Sequence, residues 1–158
     1  MGSWTPVLRV VVPGEAQSKQ RPRFSKKMGR SYTPAPTVAY QKKVAGLASV
    51  AMDTFHPDRE GLLIEGRTPV WVQIMVVLQR PQALMRVKDP EGMLYHTKRP
   101  DVDNIGKAVL DGLDEVEGLW VDDSQVCDLS IRKRYAQKGG LPYVEVSILE
   151  LKDASLAV

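Results

Sequence analysis

Apolar residues alternate with polar ones in several stretches of this chain and recur at helical spacing in two others. Leu8 to Val12 is a β-branched, apolar run that stops at Pro13-Gly14, which predicts a buried strand ending in a turn. From Pro69 to Gln79, Val70, Val72, Ile74, Val76 and Leu78 share one face, while Trp71, Met75 and Val77 make the other face largely apolar. That pattern predicts a central strand covered on both sides. Ser124 to Tyr135 alternates again, with Cys127, Leu129 and Ile131 on one face and Arg132 and Arg134 on the other. With the turn at Lys138-Gly139-Gly140 and the strand Tyr143 to Leu151, it predicts an antiparallel hairpin.

Helical periodicity governs two other segments. Val38, Val44, Leu47, Ala48, Ala51 and Phe55 recur near helical spacing after Pro36, predicting an amphipathic helix from about Thr37 to Thr54. Pro100 disfavours helix just before it, so Asp101 is expected on an extended approach and Asp103 as the N-cap of a helix running to about Leu113. Residues 56–68 and 80–97 are connections, the second long enough to be expected flexible, and the tail, residues 152–158, has few anchors. The order strand, helix, strand, helix, hairpin predicts one α+β domain over residues 1–158, with helices packed on a mixed β-sheet.

The 158 residues suffice for one core, and 43% hydrophobic composition needs no disulfide to support it. No apolar run approaches the roughly 18 residues of a membrane span, and no signal core follows the N-terminus, so a cytoplasmic protein without a membrane partner is expected. Cys127 falls on the expected core face and His56 and His96 in loops; all three are assigned structural roles. A Walker-like phosphate loop is absent, which argues against a nucleotide cofactor. The net charge of +3 is small, but Lys19, Arg21, Arg23, Lys26, Lys27 and Arg30 run without an intervening acid. Pro22 and Gly29 place them in a loop of about residues 15–35. A solvated surface loop accounts for the charge alone; Phe24 and Tyr32 within or beside the run add the stacking rings that nucleic-acid binding uses.

Carboxylates concentrate later. At about 100° per residue, with Asp103 as zero, Lys107 lies near about 40°, Asp114 about 20° and Asp111 about 80°, opposite Ile105, Val109 and Leu113. An ordinary surface helix with i,i+4 pairs accounts for each of these charges taken singly, and Asp111 and Asp114 are assigned to it. Asp101 changes the balance, because an extended Asp-x-Asp turns two carboxylates to one side. Asp122-Asp123, after a short predicted strand from Leu119 to Val121, returns a further pair; spacing does not choose between the two. Convergent carboxylates without histidine or cysteine suit Mg²⁺ or Mn²⁺, which activates water and stabilises the leaving oxygen of a phosphodiester. Lys107 either offsets charge on the transferred phosphoryl group or relieves repulsion among the acids.

The run Lys98-Arg-Pro-Asp-Val-Asp-Asn-Ile-Gly-Lys-Ala-Val-Leu-Asp-Gly-Leu, then Trp120-Val-Asp-Asp-Ser-Gln-Val, resembles the RusA family of Holliday junction resolvases. Pro13-Gly, Lys19-Gln-Arg-Pro-Arg-Phe and Tyr32-Thr-Pro precede it in the family's order. The resemblance implies a RusA-like fold, and a homodimer that nicks four-way or branched DNA in pairs during recombination and repair. It further implies Mg²⁺, with Mn²⁺ able to substitute, held by Asp101, Asp103 and Asp123 rather than Asp122, with Lys107 as the active-site lysine. A non-catalytic branched-DNA-binding protein using the same basic surface is the alternative. The connection 80–97 and the spacer before Gly118 are longer than the resemblance calls for, and neither touches the acids.

Overall fold

The first apolar alternation folds as β1 (Trp4–Pro13), which buries Leu8, Val10 and Val12 and turns Arg9 and Val11 outward. This is seen in a computed structural model that describes residues 2–153. A small hairpin follows, β2 (Arg23–Ser25) with β3 (Arg30–Tyr32), where a plain loop was expected. Next come α1 (Ala35–Phe55), β4 (Val70–Leu78), the short β5 (Leu94–Tyr95), α2 (Val102–Asp114), β6 (Val126–Tyr135) and β7 (Tyr143–Leu151). The main sheet has the order β1-β7-β4-β6-β5; β4 and β6 are parallel and every other pair is antiparallel. The domain is therefore α+β with a mixed sheet, as the element order predicts. Among the described residues no helix is long and apolar enough to cross a membrane.

Three expectations about the sheet need correction. β6 and β7 are consecutive strands but not a hairpin, because β4 lies between them and pairs with both. Alternation identifies a strand without naming its neighbour, and the most apolar strand took the centre. The coverage of β4 is also uneven: Val70, Val72, Ile74 and Val76 are buried, whereas Trp71, Gln73 and Met75 are only half-buried. Finally, Cys127 is exposed rather than on the core face. Val70 pairs with Val126 and Trp71 with Asp128, so Cys127 is the extra residue of a bulge, and such an insertion reverses the facing of its neighbours.

α1 buries Thr37, Tyr40, Gln41, Val44, Ala48 and Met52, a stripe rotated from the expected one, and Phe55 is 67% exposed. Two polar residues in that stripe have partners: Thr37 accepts the Gln20 N–H, and Gln41 reaches α2. α2 buries Ile105, Ala108, Val109 and Leu113, and with them Gly106 and Gly112. These glycines are where the helix meets its supports. A Cβ at Gly106 would collide with Ile131 of β6, and one at Gly112 would lie 2.9 Å from both the Gln41 carbonyl oxygen and Val44 Cβ of α1.

The connection from β4 to α2 is well furnished with bonds. Arg80, 3% exposed, donates to the carbonyls of Pro90 (2.6 Å) and Gly92 (2.7 Å), and Lys138 donates to that of Arg86 (2.7 Å). β5 adds the fifth strand to the sheet, with the Arg134 guanidinium 3.9 Å from the centre of the Tyr95 ring.

Candidate functional site

Asp101, not Asp103, is the N-cap of α2, with extended angles (φ −77°, ψ 142°) and its carbonyl accepting the Ile105 N–H. Asp103 is already helical and lies in the first turn, so the two acids bracket the helix start instead of sharing a strand face. An aspartate at this position ordinarily caps by accepting a backbone N–H of the first turn. Here the Asp101 side chain makes no such bond. Asp101, Asp103 and Lys107 are all exposed, and none has a side-chain hydrogen bond or ion pair among the described residues. The positive end of the helix dipole eases the repulsion between the two acids.

The second acidic pair splits into two different environments. Asp122 caps the 3-10 turn Asp123–Gln125 by accepting the Ser124 N–H at 2.7 Å, and the Ser124 hydroxyl, with that N–H second, holds its carboxyl below the usual carboxylate range. The Asp123 carboxylate is exposed and takes no such bond. No strand forms at 119–121. Gly118 and Leu119 instead accept the N–H groups of Leu63 and Ile64, and buried Gln125 closes the turn. Its side chain accepts from the Val121 N–H (2.8 Å) and donates to the carbonyls of Glu65 (2.8 Å) and Thr68 (3.2 Å).

Sequence reasoning passed over several residues that build this region. Trp120 Nε1 donates to Asp114 Oδ1 at 2.8 Å, joining the end of α2 to the turn. Burial pushes the Asp114 carboxyl up; the Trp120 bond opposes this, and the charges of Asp123, Asp122 and Asp111 add to it. Asp111 in turn receives the Lys19 ammonium and, at 3.3 Å, the Gln41 amide. The helical angles had already put Asp111 and Asp114 on the side of Asp103, which was the available signal.

Asp101, Asp103 and Asp123 are not drawn into one set of ligands: among the described residues no three Asp, Glu, His or Cys side chains group closely enough to hold a metal ion. His56 Nε2 lies 2.6 Å from the Val7 carbonyl oxygen. The His96 ring packs on Tyr135 at 4.3 Å, and burial, helped by the Lys133 charge, holds its imidazole below the usual range.

The six cations of the basic segment also divide. Lys19 is half-buried, ion-paired to Asp111, and donates its backbone N–H to the Asn104 carbonyl at 2.9 Å. It roots the β2–β3 hairpin on the helix that carries Asp103 and Lys107. Arg21, Arg23, Lys26, Lys27 and Arg30 are exposed, and none makes an ion pair among the described residues. Pairing of Arg23 with Tyr32, Phe24 with Ser31 and Ser25 with Arg30 sets the two rings on opposite faces. Arg23, Arg30 and Tyr32 share one face, and Phe24, 64% exposed, lies on the other.

Comparison with known proteins matches residues 13–148 to the family described as endodeoxyribonuclease RusA. A Bacillus subtilis (strain 168) protein, the uncharacterized YqaN, is 32% identical over 151 residues, which span 91% of this chain and 96% of that protein. The crossover junction endodeoxyribonuclease RusA of Escherichia coli (strain K12) is 41% identical over 54 residues, 34% of this chain and 42% of that protein. The Shigella sonnei protein of the same name matches to the same extent.

Proposed function

From the premise that this chain belongs to the RusA endodeoxyribonuclease family, we propose that it is a Mg²⁺-dependent nuclease acting as a homodimer on Holliday junctions and related branched DNA. One observation carries the reading. Asp101, Asp103 and Lys107 stand without internal partners at one helix start, and the basic hairpin is rooted on that same helix. Charges that serve the fold are taken up by the fold, as Asp122 and Asp111 are. Charges left over at the edge of a phosphate-binding surface serve a ligand.

The donor chemistry fits a hard divalent cation. Asp101, Asp103 and Asp123 offer only carboxylate oxygens, free of competing hydrogen bonds among the described residues, and the two histidines are engaged elsewhere. Drawn together from their separate positions, these three residues would hold the ion, which would supply an activated water and stabilise the leaving oxygen. The rest falls to the chain itself. Arg21, Arg23, Lys26, Lys27 and Arg30 bind backbone phosphates, Phe24 and Tyr32 offer rings to bases on either side of the hairpin, and Lys107 places a cation one turn beyond Asp103. A two-fold dimer presents two such sites to a two-fold junction, which suits paired nicks.

A synthetic four-way junction incubated with and without Mg²⁺ tests this. The wild type is expected to nick only with the metal, while Asp101→Asn and Asp123→Asn bind the junction normally and do not cut. Loss of binding together with cutting would remove those roles. Salt-sensitive binding with no Mg²⁺-dependent nicking would leave a non-catalytic junction-binding protein.

A further inference from the structure

β6 supports the start of α2 at two places. Ile131 fills the space that Gly106 leaves open, so the helix rides close on the strand. Two residues on, and therefore on the same face of β6, the Lys133 ammonium donates to the carbonyl oxygens of Lys98 and, at 2.7 Å, Pro100. The Pro100 carbonyl immediately precedes Asp101. In register Lys133 stands beside Val76, and its side chain is half-buried, with the bond to Pro100 partly shielded from solvent. The acceptors it has are backbone carbonyls, not carboxylates. His96 lies near enough to feel its charge, so the ammonium faces the segment that leads into α2.

We propose that Lys133 is a positioning residue for the active site: by binding the carbonyls on either side of Arg99 it fixes the backbone from which Asp101 projects. Two of its three donors are engaged within its own chain, which sets it apart from the unpaired cations of the hairpin. It acts through Asp101 and touches no substrate. The inference rests on the reading of Asp101 as a metal-binding carboxylate, and the two can fail separately.

The test compares Lys133→Met, which keeps the stem and removes the donors, with Lys133→Arg, which keeps donors, in the full chain. Backbone order parameters of the Arg99, Asp101 and Val102 amides, from ¹⁵N relaxation without metal or DNA, report positioning directly. Mn²⁺ titration reports the acids, and junction affinity without metal reports DNA contact. Lys133→Met is expected to lower those order parameters from the rigid range of about 0.85 to below about 0.6 and to weaken Mn²⁺ binding about tenfold. Junction affinity stays within twofold, and Lys133→Arg recovers most of the loss. A urea midpoint for each variant separates this from global unfolding; should Lys133→Met fail to fold, Lys133→Leu carries the same comparison. Unchanged order parameters overturn the proposal, as does a fall in junction affinity with Mn²⁺ binding intact. If the order parameters fall while Asp101→Asn leaves Mn²⁺ binding untouched, positioning stands and the metal role of Asp101 falls.

Discussion

Replacing Gly112 by alanine tests whether the seat of α2 on α1 is what holds the acids in place. Propensity alone favours the change, since alanine inside a helix is worth about 1 kcal/mol over glycine. Gly46 of α1 shows that gain without interference: a Cβ there meets nothing within 4 Å. At Gly112 the added carbon lies 2.9 Å from the Gln41 carbonyl oxygen, 2.9 Å from Val44 Cβ and 3.0 Å from Val44 Cγ1. The first belongs to the backbone and the second cannot rotate away. Overpacking of this kind costs about 1–3 kcal/mol, which outweighs the propensity gain and leaves a net loss of about 1 kcal/mol. Gly46→Ala should therefore gain about as much as Gly112→Ala loses, a separation of about 2 kcal/mol, or roughly 4–8 °C in Tm for a chain of this size.

Urea and thermal unfolding of both variants give the comparison, and junction cleavage well below the Tm gives its consequence. Relief of the contact moves α2 away from α1 and lengthens the 3.3 Å bond from Gln41 to Asp111, which helps hold the hairpin root. Cleavage by Gly112→Ala is expected to fall severalfold at a temperature where the protein remains folded, with Gly46→Ala unaffected. Equal stabilisation of the two variants would refute the close-packing argument, and full cleavage by a destabilised Gly112→Ala would separate packing from catalysis.

Two further expectations follow from other parts of the molecule. Burial pushes the Tyr40 hydroxyl up to about 12, and that hydroxyl has no hydrogen-bond partner in the structure. Above about pH 10 the unfolded tyrosine ionises while the folded one keeps its proton, so stability falls with rising pH, by at most about 1.4 kcal/mol per unit. Tyr40→Phe should match or exceed wild-type stability at pH 7 and lose that slope; urea titrations from pH 8 to 11 in which the two proteins remain parallel would contradict the assignment. In the hairpin, alanine at Lys26, Lys27 and Arg30 should lower the slope of log K against log salt for junction binding by about 0.9 for each phosphate contact removed. An unchanged slope would place the DNA elsewhere.

Local patterns in this sequence reveal local structure, and partners distant along the chain stay hidden. Alternation marked β4 and β6, and an apolar β-branched run and a Gly-Gly turn marked β1 and β7, because each of these signals is carried by immediate neighbours in the chain. Nothing in those runs says that β4 separates β6 from β7, and the bulge that exposes Cys127 is one residue of register that alternation cannot see. In the same way Asp111 reads as a surface acid because its partners, Gln41 and Lys19, lie 70 and 92 residues away. The cap of α2 moved by two residues because Pro100 leaves Asp101 extended, and capping geometry is settled by backbone angles, not by residue type.

The motif from Lys98 to Val126 therefore carries two kinds of residue that spacing alone does not separate. Gly106 and Gly112 let α2 approach its supports, Gln125 closes the turn, Trp120 ties that turn to Asp114, and Asp111 anchors the basic hairpin. Removing these leaves the charged side chains with no bond among the described residues, Lys98, Arg99, Asp101, Asp103, Lys107, Glu115, Glu117 and Asp123, of which Asp101, Asp103 and Lys107 stand at the N-cap and on the first two turns of α2. A buried or half-buried charge is kept because it has a partner, while an unpartnered acid beside other acids is unfavourable to the free protein. Under the proposed function, what Asp101, Asp103, Lys107 and Asp123 bind at the foot of the basic hairpin accounts for acids that the free protein does not itself pair.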